Sequence, residues 1–333
     1  RPADRSLSPR RLAMNEWFPA FQRRHTIAVV VLLAITLAAS PFLPTIPLAT
    51  QLTMLAATVV IFGLPHGALD LNLVRGATSG SRFTLATAVG LYLLAAGIVL
   101  ALWVFAPVIA LFGFLFIAVI HFGLGDTEDL SGPQRAVEVV ARGGFAGIAP
   151  IVFHPSTTRD LFALLVGPNS TAALYSALAA ISSPATLVWG LCLVGALLWR
   201  ALQRRSGWCA ACAELILTTA IFAVFHPLAA FLLYFCFVHS VRHIADLGAA
   251  RFPESGARAG RWLICESLPF TVATILLAAV FWLVFARSAA YDQTMIRTIF
   301  WGLSALTVPH MILTAWWHGR GDPTPGDLFA RHV

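Results

Sequence analysis

Lysine is absent from the 333-residue chain; all 22 of its basic side chains are arginine. A retinal-bearing opsin holds its chromophore as a lysine Schiff base, so that class is excluded by inspection. Charge of either sign is scarce. Asp, Glu, Lys and Arg together make up 11% of the residues, where a soluble domain carries about 25%. No long polar insertion interrupts the chain, so a separate soluble domain is not expected. Short segments of alternating polarity are missing too, which removes a β-barrel. Cysteine is limited to Cys192, Cys209, Cys212, Cys236 and Cys265. Most lie in or beside apolar runs, where Cys behaves as a small hydrophobe, and no disulfide framework is implied. Cys209 and Cys212 form a lone CxxC, whereas a structural zinc site takes about four ligands. No internal repeat is evident.

Hydrophobic residues fill the space left by charge: they are 59% of the chain, and mean hydropathy is +0.81. Apolar runs near the length of about 20 residues that a bilayer demands recur from end to end. They fall at 26–47, 51–72, 84–106, 108–124, 136–153, 184–202, 211–226, 228–247, 262–286 and 297–317. The expected fold is an all-α, polytopic integral membrane helical bundle with about 8–10 transmembrane helices. Arg142 and paired glycines weaken the fifth run, and the seventh is short. The stretch 154–183 reads as a re-entrant or interfacial piece. Residues 1–25 are expected to be a basic cytoplasmic N-terminal tail, 26–318 the membrane domain, and 319–333 a cytoplasmic C-terminal tail. Met14 is a plausible natural start, which would make residues 1–13 upstream sequence.

The formal charge of +7 and pI near 9.8 do not point to nucleic acid, because the arginines sit in short loops where they set membrane orientation. Arg5, Arg10, Arg11, Arg23 and Arg24 precede the first run, which places the N-terminus in the cytoplasm. With ten runs, the even loops carry Arg75, Arg82, Arg135, Arg200, Arg204, Arg205, Arg251, Arg258 and Arg261. The opposite loops carry only Arg159, Arg287 and Arg297.

Four histidines then stand out at the ends of apolar runs: His66 in GLPHGALD, His121 in VIHFGLGD, and His239 with His243 in CFVHSVRHIAD. An ionisable side chain within a span is costly, so its default reading is functional. The expected topology puts all four in the cytoplasmic half at similar depth. His239 and His243 are spaced i,i+4 and so share a helix face. Imidazoles without a carboxylate among them suit iron, copper or zinc better than magnesium or calcium. His310 in TVPHM falls near the same depth, as an extra ligand or a supporting group. Asp70, Asp126 and Asp246 follow the histidines closely, and metal-bound imidazoles commonly donate their outer N–H to a carboxylate. Asp70 is the preferred candidate for that role; the competing reading makes all three solvated helix-end charges. His154 and His226 each precede a proline on the opposite side and are set aside as span ends. His25 and His332 read as solvated tail residues, and His318 after Trp316-Trp317 as an interface residue. Phe112, Phe114, Phe116, Tyr234, Phe235, Phe237 and Trp301 lie on or near the ligand-bearing runs, and a subset would line any pocket.

PHGALD, HFGLGD, HPLAAFLLYFCFVHSVRH and the late PH resemble the Brp/Blh family of bacterial membrane β-carotene 15,15′-dioxygenases, over about residues 50–317. The first residues, up to about 50, fall outside the resemblance. It implies one Fe(II) ion held by His66, His121, His239 and His243, which coincide with the set chosen from depth. It also implies β-carotene and O2 as substrates and central cleavage to two molecules of all-trans-retinal. A bacterial inner membrane, and a retinal-accepting opsin downstream, are family-level expectations. Two other classes remain open on the residues alone. A diiron hydroxylase or desaturase needs roughly eight histidines in several boxes, where this chain has one HxxxH. A metal transporter or bis-histidine haem subunit would hold the same imidazoles without catalysis; transporters usually add repeats.

Overall fold

The computed structural model describes residues 17–65, 82–127, 130–286 and 289–319. Every regular element among them is helical. In chain order these are α1 (Trp17–Ala39), α2 (Leu48–Thr58) continuing into a π-helical segment (Val59–Gly63), α3 (Arg82–Phe105), α4 (Pro107–Gly125), α5 (Gly132–Gly147), α6 (Ala149–Phe153) and α7 (Pro155–Val166). There follow α8 (Thr171–Gln203), α9 (Trp208–Val224), α10 (Pro227–Leu232) running through a second π-helical segment (Leu233–Ser240) into α11 (Val241–Arg251), then α12 (Gly256–Phe285) and α13 (Tyr291–Gly319). The chain is thus an all-α, multi-pass membrane bundle.

Proline sets several of the starts. Pro107, Pro155 and Pro227 each open a helix in its first turn, where the missing N–H is one the helix could not have bonded anyway. A residue before proline is pushed out of the α region. His154 and His226 therefore cap α7 and α10, and the imidazole of His226 accepts from the Leu228 N–H.

Seven helices are long and apolar enough to cross a membrane among the described residues, with Leu48–Gly63 and Trp208–Val224 as shorter apolar helices. The run expected at 136–153 is not one of them. Glu138 and Arg142 make it too polar, and the helix breaks between Gly147 and Ala149. The stretch at 154–183, read as a re-entrant or interfacial piece, folds as α7 and the first third of α8, which continues through Pro184.

The long helices divide into an outer and an inner set. In α1, α3, α8 and α12 only 6–11% of the apolar window is buried. Their Leu91, Leu94, Leu187, Leu191, Leu276 and Leu277 point outward, which water would penalise and lipid does not. The inner set is α4, the α10–α11 rod and α13, buried over 39%, 56% and 39% of their windows. Glycine brings α4 and α5 backbone to backbone. A Cβ on Gly123 would strike the Val139 carbonyl oxygen, and one on Gly143 the Val119 carbonyl oxygen. Small residues allow such approach where helices meet in lipid.

Candidate metal centre

The three inner helices are the ones that carry His121, His239 with His243, and His310. His121 sits in the last turn of α4, His239 near the end of the second π-helical segment, His243 in the first turn of α11, and His310 just after Pro309 in α13. A π-helical turn inside an α-helix is frequent at functional sites. The first π-helical segment ends just before Leu64-Pro65, and His66 is the next residue; His66 and Asp70 lie outside the described residues. The two π-helical segments pack on each other: Phe62 and Phe237 have ring centroids 5.2 Å apart. Gly63 supplies the space for the Phe235 ring, whose Cε1 would stand 2.9 Å from a Cβ there.

His121, His239, His243 and His310 form a closed ring of imidazoles. His121 lies 5.3 Å from His239 and 5.2 Å from His310, centroid to centroid, and His243 lies 6.2 Å from both His239 and His310. Metal–nitrogen bonds of about 2.0–2.1 Å put imidazoles that share an ion roughly 4.5–6 Å apart by centroid. The two His121 spacings fall in that range and the two His243 spacings lie just beyond it, and among the described residues no three His, Cys, Asp or Glu side chains form a group that could hold a metal ion. His239 is 1% exposed, His121 9% and His310 5%. The Phe122 ring lies 4.4 Å from the His239 ring. Phe122 also borders an apolar cavity of about 60 Å³ lined by Leu111, Phe114, Ala118, Phe231 and Phe300, among others.

The outer nitrogens are committed. His239 Nδ1 lies 3.1 Å from Asp126 Oδ1, and His121 Nδ1 lies 3.1 Å from the Met311 thioether sulfur. Each bond leaves Nε2 as the nitrogen able to carry a metal. Asp126, at the C-terminal cap of α4, also accepts from the Tyr234 hydroxyl at 2.9 Å. Gly125 makes room for this: a Cβ there would come within 3.0 Å of His239 Cε1. Imidazoles beside aromatic rings, with no carboxylate in the ring of four, fit a borderline transition metal such as ferrous iron.

Behind Asp126 runs a buried ionic chain. Arg242 sits 3.6 Å from Asp126 and bonds Glu214 at 2.9 Å; Arg142 bonds Glu214 at 2.7 Å and Glu138 at 3.3 Å; Arg200 closes the series on Glu138. Three carboxylates face three guanidiniums, so the opposite charges balance along the chain. Burial alone would raise the Asp126 pKa; the facing His239, Arg242 and Arg142 outweigh it and hold the carboxyl well below the usual carboxylate range.

Of the sequence-predicted set, the structure brings together His121, His239, His243, His310 and Asp126. Asp246 lies on α11, and among the described residues it forms no hydrogen bond or ion pair with a histidine. His154 bonds the Phe222 carbonyl at 2.9 Å, away from the cluster. His25, read as a solvated tail residue, lies on α1 instead and reaches the Phe237 carbonyl at 2.9 Å. Tyr234 was named only as a pocket-lining aromatic, without its bond to Asp126; sequence reasoning missed Arg242, Glu214 and Met311. Glu214 within CAELIL and Arg242 within HSVRH are charges inside apolar runs, a signal sufficient to find them. Met311 has no such signal.

The family model for "Beta-carotene 15,15'-dioxygenase" matches residues 57–318. The chain is 30% identical over 313 residues to "Probable beta-carotene 15,15'-dioxygenase Blh" of Halobacterium salinarum, covering 85% of this chain and 89% of that protein. It is 28% identical over 271 residues to "Beta-carotene 15,15'-dioxygenase" of an uncultured marine bacterium, 66A03, covering 77% and 90%. It is 27% identical over 311 residues to "Probable beta-carotene 15,15'-dioxygenase Brp" of Halobacterium salinarum, covering 81% and 84%. No solved structure matches. Matched over most of its length, from the first π-helical segment to the end of α13, the chain belongs to the β-carotene 15,15′-dioxygenase family.

Proposed function

We propose that this protein cleaves the central double bond of β-carotene with O2, giving two molecules of all-trans-retinal, in a bacterial inner membrane. The carbon–carbon double bond is broken and each carbon receives one oxygen atom. The polyene is oxidised and O2 reduced, so no further reductant is required. The observation that carries the reading is the ring of imidazoles, three of them buried, on the three innermost helices of a chain in this family.

His121, His239 and His243, with His66, would hold a ferrous ion, which supplies the redox chemistry that lets O2 react with a hydrocarbon. The chain's own residues do the rest. Asp126 and Met311 engage Nδ1 of His239 and His121, which leaves each Nε2 for the ion. Phe122, Phe231 and Phe235 keep water away from the imidazoles. The small cavity beside Phe122 gives a hydrocarbon a nearly nonpolar lining next to the histidines. Exposed apolar faces on α3, α8 and α12 keep the chain in the lipid that also dissolves the substrate.

Detergent-purified protein supplied with Fe(II), O2 and β-carotene should form retinal and carry one iron per chain. His243→Ala should lose both properties; full activity in that variant overturns the ligand assignment. Two irons per chain would favour the diiron class, and a Soret band the haem class. The geometry also favours a second ligand set, because His310 stands as close to His121 as His239 does. His66→Ala abolishes iron binding under the first set, and His310→Ala abolishes it under the second.

A further inference from the structure

His25 lies on α1, ahead of the residues that the family model matches. Its Nε2 is 2.9 Å from the main-chain oxygen of Phe237, which sits 212 residues further along. A carbonyl only accepts, so the imidazole donates. Phe237 belongs to the second π-helical segment, two residues before His239. The imidazole is stacked on Phe21, with centroids 5.8 Å apart and planes 8° apart, so its direction is fixed. At the other end of the same rod, the Trp17 indole donates to the Phe252 carbonyl at 3.1 Å. Trp17 also packs where a Cβ on Gly256 would stand, 3.3 Å from its Cε3. α1 is therefore bonded to the ligand-bearing rod near both ends of α11.

The register of a π-helical segment decides where the residues after it point. Relaxing one π turn to an α turn removes a residue from the count and rotates everything downstream by about 100°. His239 and His243 would then leave the face they share with His121 and His310. A bond from a neighbouring helix to a carbonyl inside the segment opposes that relaxation.

We infer that His25 is a positioning residue: by donating to the Phe237 carbonyl it holds the π-helical register that presents His239 and His243 to the metal centre. The inference rests on the proposed function only for the role of those two histidines as ligands. Full-length protein with His25→Leu and with His25→Gln would be compared with the parent. Gln keeps a donor at nearly the same reach; Leu keeps bulk and loses the donor.

Hydrogen exchange in metal-free protein is the first readout. Amides 233–243 in His25→Leu should exchange about five-fold faster, the factor that one net hydrogen bond corresponds to, while α8 stays unchanged. His25→Gln should restore most of the protection. An Fe(II) titration is the second readout, with affinity falling about as many fold in His25→Leu and recovering in His25→Gln. Unchanged exchange over 233–243 in His25→Leu overturns the inference, as does an increase spread equally over α8, which would mark a merely structural residue. Absence of iron binding in the parent would defeat the proposed function, and the exchange result would still decide the role of His25.

Discussion

Asp126 shows what a single residue contributes. Its two oxygens divide between His239 and the Tyr234 hydroxyl, so one carboxylate fixes an imidazole and anchors an aromatic of the same rod. Carboxylates behind metal-bound histidines typically contribute 10–100-fold in affinity. Asp126→Asn keeps the shape and weakens the acceptor, so an iron titration should show a loss of about ten-fold, the lower end of that range. Met311 plays the corresponding part for His121 through sulfur. Met311→Leu keeps the volume and removes the acceptor; iron affinity should drop by a few fold with the melting temperature nearly unchanged, and Met311→Gln should recover it. Equal affinity in Leu and parent would show that the His121–Met311 contact is packing only. His121, His239, His243, His310 and Asp126 were legible as candidates because ionisable groups at the ends of apolar runs are few. Met311 was not, since a thioether inside a span looks like any other apolar side chain.

At the scale of the element, proline and glycine decide where helices begin and how closely they pass. The starts at Pro107, Pro155 and Pro227 could be read from sequence, because each follows directly from the ring's missing donor. The π-helical segments could not: VVIFG and LYFCFVHS have the composition of ordinary span interiors, and the extra residue per turn is set by what packs around it. The α4–α5 contact gives a direct test. Gly143 faces the Val119 carbonyl, whereas nothing stands within 4 Å of a Cβ on Gly113. Gly143→Leu should therefore separate α4 from α5 and sharply lower the melting temperature in detergent, while Gly113→Leu on the lipid side should leave it within a degree or two of the parent. Equal tolerance of both substitutions would contradict the backbone-to-backbone packing.

At the scale of the molecule, a neutral chain of three carboxylates and three guanidiniums ties α4, α5, α8, α9 and α11 together behind the histidines. Removing one partner of a buried ion pair costs about 3–5 kcal/mol because the other charge is left without compensation. Arg142→Met should thus destabilise strongly, and adding Glu214→Gln should recover part of the loss, as read by thermal melts of all four species of the cycle. Purely additive losses would mean that the two residues do not act on each other. The amino-acid sequence by itself determined the membrane class, the helical content and the candidate donors. Those follow from how little charge the chain has and where it is placed, and each such feature is local. Only the tertiary structure decided that Arg142, Glu214 and Arg242 face inward as one network, that the run at 136–153 breaks rather than spans, and that α1 reaches the ligand-bearing rod through His25. Each of these depends on which helix faces which, and helices whose surfaces are apolar all round carry no periodic pattern to announce their neighbours.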